Sequence, residues 1–154
     1  MYQKIIVPLD GSKTGEAALP YVEDMVSKLS PEVKVEITLL QVLSPVRPSA
    51  AGGQAIPDIT YSEKQTEETK KAAIDYLNKI GEALRSKGAT VIAKVAIGDA
   101  SQEIVKTAEE INANVIAMST HGRSGLSRWA FGSVTDKVLR REGKIPIVMA
   151  RAPK

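Results

Sequence analysis

A glycine-bearing loop in the last third of the chain carries the residue types that bind phosphate. Residues 119–135 read STHGRSGLSRWAFGSVT and join the apolar residues 115–118 to a segment with helical apolar spacing. Glycines in such a loop let the backbone approach a ligand, and here Gly132 and Ser133 begin the helical segment. The unpaired N–H groups and the dipole at a helix N-terminus favour an anion. The sequence therefore predicts an oxyanion site at this loop.

Three further side chains of the loop have competing interpretations. Arg123 and Arg128 are suited to neutralise phosphate charge, although exposed loop arginines more often only meet solvent. His121 is the only histidine, and the chain has no cysteine. A single imidazole without thiolates does not build a metal site, so we expect His121 to brace the loop or to lie just behind a ligand.

The spacing of the loop is similar to the nucleotide motif of the universal stress proteins. That motif is a glycine, two residues, a second glycine, nine residues, and then glycine with serine or threonine. Gly122 matches the second glycine, residues 123–131 supply the nine, and Gly132 with Ser133 closes the motif. Ser119 stands where the family has its first glycine. The opening KIIVPLDGS and the late PIVMA also resemble the family, so the resemblance covers essentially the whole chain.

Strand and helix patterns alternate along the rest of the chain. Strands are expected at residues 4–9, 33–42, 90–96, 115–118 and 145–150, and the longest helix at 61–86. Ser12 is expected to cap the first helix, and Asp99 with Gln102 forms a capping-box pattern before a later one. Residues 44–60, rich in proline and glycine, are expected to form a mobile connector.

This alternation predicts one doubly wound α/β domain over residues 1–154, a five-stranded parallel sheet with helices on both faces. The family resemblance implies strand order 3-2-1-4-5. In such a sheet a ligand binds beyond the carboxyl ends of the strands where the order reverses, here strands one and four.

Asp10 ends the first predicted strand beside Gly11 and Ser12. Its carboxylate suits ribose hydroxyls or an adenine amino group, but aspartate serves turns equally often. The family resemblance implies a nucleotide site here. We expect its residues to be Pro8, Leu9, Asp10, Val42, Gly98, Met118, Ser119, Gly122, Arg123, Gly132, Ser133, Val134 and Thr135.

Composition excludes several classes of function. The 21 basic and 18 acidic residues are mixed along the 154-residue chain, and aromatic residues make up 4%, so nucleic acid is not an expected partner. No apolar run is long enough to cross a bilayer, and no leader pattern opens the chain, so neither a membrane partner nor secretion is expected. A cytoplasmic location is the simplest interpretation.

The motifs indicate nucleotide binding without an evident catalyst. No Walker loop, G-x-G-x-x-G fingerprint or G-x-S-x-G elbow is present, and no catalytic residue is assigned. The first hypothesis is an ATP-binding regulatory stress-response protein with an unidentified protein partner. ATP would bring Mg²⁺ or Mn²⁺, held mainly by its phosphates. The alternatives are a nucleotide-free interaction protein of the same fold, which the side chain of Ser119 favours, and a slow ATPase.

The last predicted strand indicates how the protein assembles. Residues 145–150 are short and apolar, and the family resemblance places them at the sheet edge. An uncovered apolar edge invites pairing with another chain. Residues 151–154 are too few to cover it. We therefore expect a homodimer through antiparallel pairing of this strand with its symmetry mate.

Overall fold

Five parallel strands form the sheet that positions everything else in the molecule. The computed structural model describes residues 2–45, 63–121, 131–141 and 143–152. The strand order is β3-β2-β1-β4-β5, which confirms the expected topology. The strands are β1 (Tyr2–Leu9), β2 (Lys34–Leu43), β3 (Thr90–Ile97), β4 (Val115–Ser119) and β5 (Ile147–Ala150).

Helices connect the strands and cover both faces of the sheet. A short 3₁₀ helix, Gly15–Ala18, leads directly into the first α-helix. The α-helices are α1 (Leu19–Lys28), α2 (Glu63–Ser86), α3 (Ala100–Glu110) and α4 (Ser133–Arg140). Among the helices of the described ranges, none combines the length and the apolar character needed to traverse a bilayer.

The core has two layers because successive strand residues point to opposite faces of the sheet. In β1, Ile5 and Val7 lie on one face and Ile6 on the other. The first face packs against α1 and α2, and the second packs against α3 and α4. The buried helix residues of the first layer are Leu19, Val22, Val26, Leu77 and Leu84, and those of the second are Ile104, Ala108 and Val138.

The sheet opens between β1 and β4. The register of β1 with β2 runs over eight residue pairs, from Tyr2 to Leu9. Its register with β4 covers only Ile5 and Ile6, opposite Val115 and Ile116. Pro8 has no N–H group to donate to a neighbouring strand. Beyond Ile6 the two strands therefore diverge towards their carboxyl ends, and their loops are free to line a cleft.

Several expected boundaries differ from the structure. Ser12 does not cap α1, which begins seven residues later; its hydroxyl instead accepts the Gly15 N–H at 3.0 Å, at the start of the 3₁₀ helix. The last strand begins at Ile147 rather than at residue 145, because its pairing with β4 starts there, opposite Ile116, and Pro146 has no N–H to donate. Most of the predicted connector, from residue 46, and the first two residues of the predicted long helix lie outside the described residues.

A substitution at Leu77 tests the core layer between α2 and the sheet, because the Leu77 side chain is fully buried. Replacing Leu77 by Ala should lower the free energy of unfolding by about 2–5 kcal/mol, through lost apolar burial and the cavity left behind. Urea denaturation followed by circular dichroism measures this. The matched control is Leu139→Ala on α4, where the leucine is 37% exposed and the expected loss is about 1 kcal/mol or less. Equal losses for the two variants would contradict the assigned core.

Candidate functional site

A cleft of about 230 Å³ opens at the carboxyl ends of the central strands, where β1 and β4 diverge. Strand ends, the 3₁₀ helix, and the first turns of α3 and α4 form its walls. The described residues that line it are Pro8, Leu9, Asp10, Gly15, Leu40, Val42, Ala100, Ile104, Met118, Ser119, His121, Gly132, Ser133, Val134 and Thr135.

Most of the site residues expected from the sequence meet in this cleft, although they come from distant segments. Those in its lining are Pro8, Leu9, Asp10, Val42, Met118, Ser119, Gly132, Ser133, Val134 and Thr135. Gly122 and Arg123 lie outside the described residues. Their part in binding a nucleotide stays a prediction, as does that of the residues in the lining.

Gly98 is the one described candidate that does not line the cleft. It has a φ of 151° in the turn between β3 and α3, a conformation that side chains rarely adopt. A Cβ atom at this position would also lie 3.2 Å from Cγ of Glu103. The backbone and its neighbour thus account for this glycine without a ligand.

Asp10 organises the loop that follows β1. Its Oδ1 accepts hydrogen bonds from both the backbone N–H and the hydroxyl of Ser12, the former at 2.9 Å. The Ser12 hydroxyl in turn accepts the Gly15 N–H. A Cβ on Gly15 would collide with the Asp10 carboxylate. Asp10 therefore has the turn role that its sequence context suggested, and its carboxylate still faces the cleft.

The N-terminus of α4 forms the opposite wall. Gly132 is the N-cap, and its N–H donates to the Thr120 carbonyl at 2.8 Å. Ser133, Val134 and Thr135 are the first three residues of the helix, where N–H groups have no helical partner. These donors and the helix dipole make this wall attractive to an anion.

Few charged side chains face the cleft. Among the described residues of its lining, Asp10 and His121 are the only titratable ones. The His121 Nδ1 lies 3.0 Å from the hydroxyl of its neighbour Thr120, and the bracing role expected of His121 stays a prediction. Within the described ranges, no group of three or more histidine, aspartate or glutamate side chains is placed to hold a metal ion.

Comparison with known proteins identifies the family. The model of the universal stress protein family matches residues 1–151. The chain belongs to the universal stress protein family. Universal stress protein MJ0577 of Methanocaldococcus jannaschii is 29% identical, over 98% of this chain and 96% of its own length. A solved structure of MJ0577 matches with a TM-score of 0.74 at 28% identity, covering 99% of this chain and 98% of that one.

Two other universal stress protein structures share the fold and contain nucleotides. One, solved in complex with cAMP, is 19% identical with a TM-score of 0.63 and covers 99% of this chain and 98% of that one. The other, from Arabidopsis thaliana with AMP bound, is 16% identical with a TM-score of 0.62 and covers 98% of this chain and 92% of that one.

Sequence reasoning missed several walls of the cleft in this universal stress protein. Leu40 lies two residues before Val42, so strand periodicity would have placed it on the same face. Ala100 and Ile104 are four apart on α3 and share one helix face. No local pattern indicates that this face meets the cleft. The residues of the lining that were not expected near a ligand are Gly15, Leu40, Ala100 and Ile104.

Asp99 caps α3, the helix that contributes Ala100 and Ile104 to the wall of the cleft. It is the N-cap of α3, and its Oδ1 accepts the Gln102 N–H at 2.9 Å and the Ser101 hydroxyl at 2.7 Å. The Ser101 hydroxyl foremost, and then the Gln102 N–H, lower the pKa of the Asp99 carboxyl below its ordinary 3.8, and Lys137 and Arg141 act in the same direction. Asp99 therefore caps α3 in its ionised form.

The lowered pKa of Asp99 predicts a pH-dependent contribution to stability. A depressed folded-state pKa stabilises the protein above the unfolded-state value, and this contribution is lost as pH falls through the folded-state value. Asp99→Ala should cost about 1 kcal/mol at pH 7. Denaturant titrations from pH 7 to 2.5 should show the difference from wild type shrinking below pH 3.8. Asp99→Asn, which keeps an acceptor that does not titrate, is the control, and a wild-type advantage that persisted unchanged at pH 2.5 would contradict the assignment.

Proposed function

We propose that this universal stress protein is a regulatory protein that binds ATP in the cleft between β1 and β4. The observation that carries the proposal is the combination of an apolar wall, a carboxylate and a helix N-terminus around one cleft at the point where the strand order reverses. The solved relatives that contain cAMP and AMP support an adenine nucleotide as the ligand class.

The walls of the cleft match the three parts of a nucleotide. Val42, which is partly buried, offers an apolar surface for the flat face of a base, and the buried Leu40 and Ile104 pack behind it. Asp10 offers an acceptor for ribose hydroxyls. Ser133 and its neighbours at the start of α4 offer N–H and hydroxyl donors for phosphate. Arg123, two residues after His121 of the lining, remains the proposed source of positive charge.

A divalent cation fits this site only together with the nucleotide. The described lining contributes one carboxylate and one imidazole, which is fewer than the oxygen ligands that Mg²⁺ requires from a protein alone. We propose that Mg²⁺ or Mn²⁺ enters with ATP and is held chiefly by the phosphate oxygens. Phosphates and water then supply most of its coordination.

The proposed role is regulatory rather than catalytic. The Asp10 carboxylate is committed through Oδ1 to Ser12, and no other acid in the described lining is available to activate water. ATP would act by stabilising one conformation of the protein, and an unidentified protein partner would recognise that conformation. The cytoplasm, where ATP is abundant, is the proposed compartment. A slow ATPase and a nucleotide-free interaction protein are the alternatives that experiment separates.

Thermal denaturation with and without ATP tests nucleotide binding. A ligand at one hundred times its Kd adds about 2.7 kcal/mol, so saturating MgATP should raise Tm by several degrees. Gly132→Val should abolish the shift, because a branched side chain at the N-cap of α4 crowds the phosphate approach. The matched control is Gly143→Val, since a Cβ there meets nothing within 4 Å and the residue lies far from the cleft.

Further measurements on the same protein preparation distinguish the ATP-binding protein from the nucleotide-free protein and the slow ATPase. Denaturing the purified protein and identifying released nucleotide by chromatography and mass spectrometry should yield an adenine nucleotide. An unchanged Tm together with no heat of binding in calorimetry refutes the proposal and favours the nucleotide-free protein. Steady release of phosphate that Asp10→Asn abolishes would instead establish the ATPase.

We further propose that β5 forms a homodimer interface. Within the described sheet β5 pairs only with β4, so its other edge has backbone groups available to another strand. Val148 is 48% exposed and Met149 is 36% exposed, an apolar surface on an edge strand. Antiparallel pairing of two copies about a two-fold axis would cover both features.

Light scattering with a lysine substitution tests the dimer. The wild-type protein should have about twice the 16.5 kDa chain mass at tens of micromolar. Val148→Lys should give a monomer, because two like charges would meet across the two-fold axis. Ile92→Lys is the matched control, since Ile92 is 42% exposed on the opposite edge strand, β3, and should leave the dimer intact. A monomeric wild type, or dissociation by Ile92→Lys instead, contradicts this interface.

A further inference from the structure

One buried hydroxyl joins the end of β4 to the loop after β1. Ser119, at the end of β4, is 6% exposed. Its Oγ donates to the Thr14 carbonyl at 2.8 Å, across 105 residues of sequence. The same Oγ lies 3.4 Å from the His121 backbone nitrogen, whose N–H it accepts. The side chain therefore turns towards the loop after β1.

The carbonyl that Ser119 binds is at the start of the 3₁₀ helix. Within that helix the Thr14 carbonyl accepts the Ala17 N–H at 3.3 Å, a longer bond than the one from Ser119. Gly15 follows Thr14 directly and packs against the Asp10 carboxylate so closely that a Cβ would not fit. Holding Thr14 in place therefore holds the Asp10 wall of the cleft in place.

The backbone of Ser119 connects to the opposite wall. Its carbonyl accepts the Thr135 hydroxyl at 2.9 Å, and Thr135, itself buried, lies in the first turn of α4. Ser119 thus links the loop after β1, the end of β4 and the helix proposed to receive phosphate. A glycine at this position would keep the carbonyl bond to α4 and lose the hydroxyl bond to the loop.

We propose that Ser119 is a positioning residue whose hydroxyl fastens the loop after β1 in its ligand-ready conformation. Serine in place of the first glycine of the motif then improves the site instead of crowding it. The inference rests on the proposed nucleotide binding for its consequence, but the fastening of the loop is measurable in the unliganded protein. A loop that is already ordered spares a ligand the cost of ordering it.

Amide hydrogen exchange in the unliganded protein tests the fastening directly. The reporters are the N–H groups of Ser12, Gly15 and Ala17, each of which is hydrogen-bonded within this loop. Exchange at these amides should be at least about fivefold faster in Ser119→Ala and Ser119→Gly than in wild type, because opening of the loop becomes easier. Saturating MgATP should remove most of the difference.

Ser101→Ala is the matched control for a general loss of stability. Ser101 is 2% exposed, and its hydroxyl bonds Asp99 rather than the loop after β1. This variant should leave exchange at Ser12, Gly15 and Ala17 at the wild-type rate. A role of Ser119 that was only structural would instead raise exchange throughout the core, as a global loss of stability does.

Calorimetric titration with MgATP gives the second measurement. Ser119→Ala and Ser119→Gly should both bind about fivefold to tenfold more weakly than wild type, the change expected for one lost hydrogen bond. Tighter binding by Ser119→Gly, or loop exchange unchanged in both variants, overturns the inference. A wild-type protein that binds no nucleotide refutes the proposed function, and the exchange rates still decide whether Ser119 fastens the loop.

Discussion

The separation of β1 from β4 is the constraint on which the rest of the site depends. The chain turns from one half of the sheet to the other between these strands, and their register extends over two residue pairs. Pro8, which has no N–H, follows shortly after the paired residues. The walls of the cleft are the loop after β1, the ends of β2 and β4, and the first turns of α3 and α4.

The loops at such an opening have no neighbouring strand to pair with, so they need hydrogen bonds of their own to keep a fixed conformation. The loop after β1 has a local set of bonds, in which Asp10 binds Ser12 and Ser12 binds Gly15. It also has one long-range bond, from the Ser119 hydroxyl to the Thr14 carbonyl. The local bonds determine the turn, and the long-range bond determines where that turn lies relative to β4.

This arrangement gives a physical meaning to the way this universal stress protein departs from the motif of its family. Glycine at the position of Ser119 offers a backbone that approaches a ligand and a loop that moves easily. Serine offers a hydroxyl whose two hydrogen bonds are both made within the protein. The nucleotide site that we propose would benefit from such order, since a ligand that meets a formed cleft loses less of its binding energy.

Much of the fold follows from the sequence because its causes are local. A continuous apolar run in residues 4–9 and the alternation at the start of residues 33–42 predict strands. The spacing of Leu77 and Leu84 predicts a helix with one buried face. The strand order needed the family resemblance, since periodicity does not say which strands are neighbours. The 3₁₀ helix was missed because apolar spacing does not distinguish it from the first turn of α1. The start of β5 was placed two residues early because the apolar run 145–150 does not show where pairing with β4 begins.

The sequence by itself determined the alternation of strands and helices, the glycine-bearing loop and the residues at the strand ends. Only the tertiary structure decided how these residues face one another. Ala100 and Ile104 line the cleft because α3 packs over the second face of the sheet, whereas Gly98, in the turn before α3, is not part of its lining. The Ser119 hydroxyl binds the Thr14 carbonyl because folding brings that carbonyl within 2.8 Å from 105 residues away. The type of each residue determines which groups it is able to bind. Which group it binds depends on distances that exist only after the strands have paired.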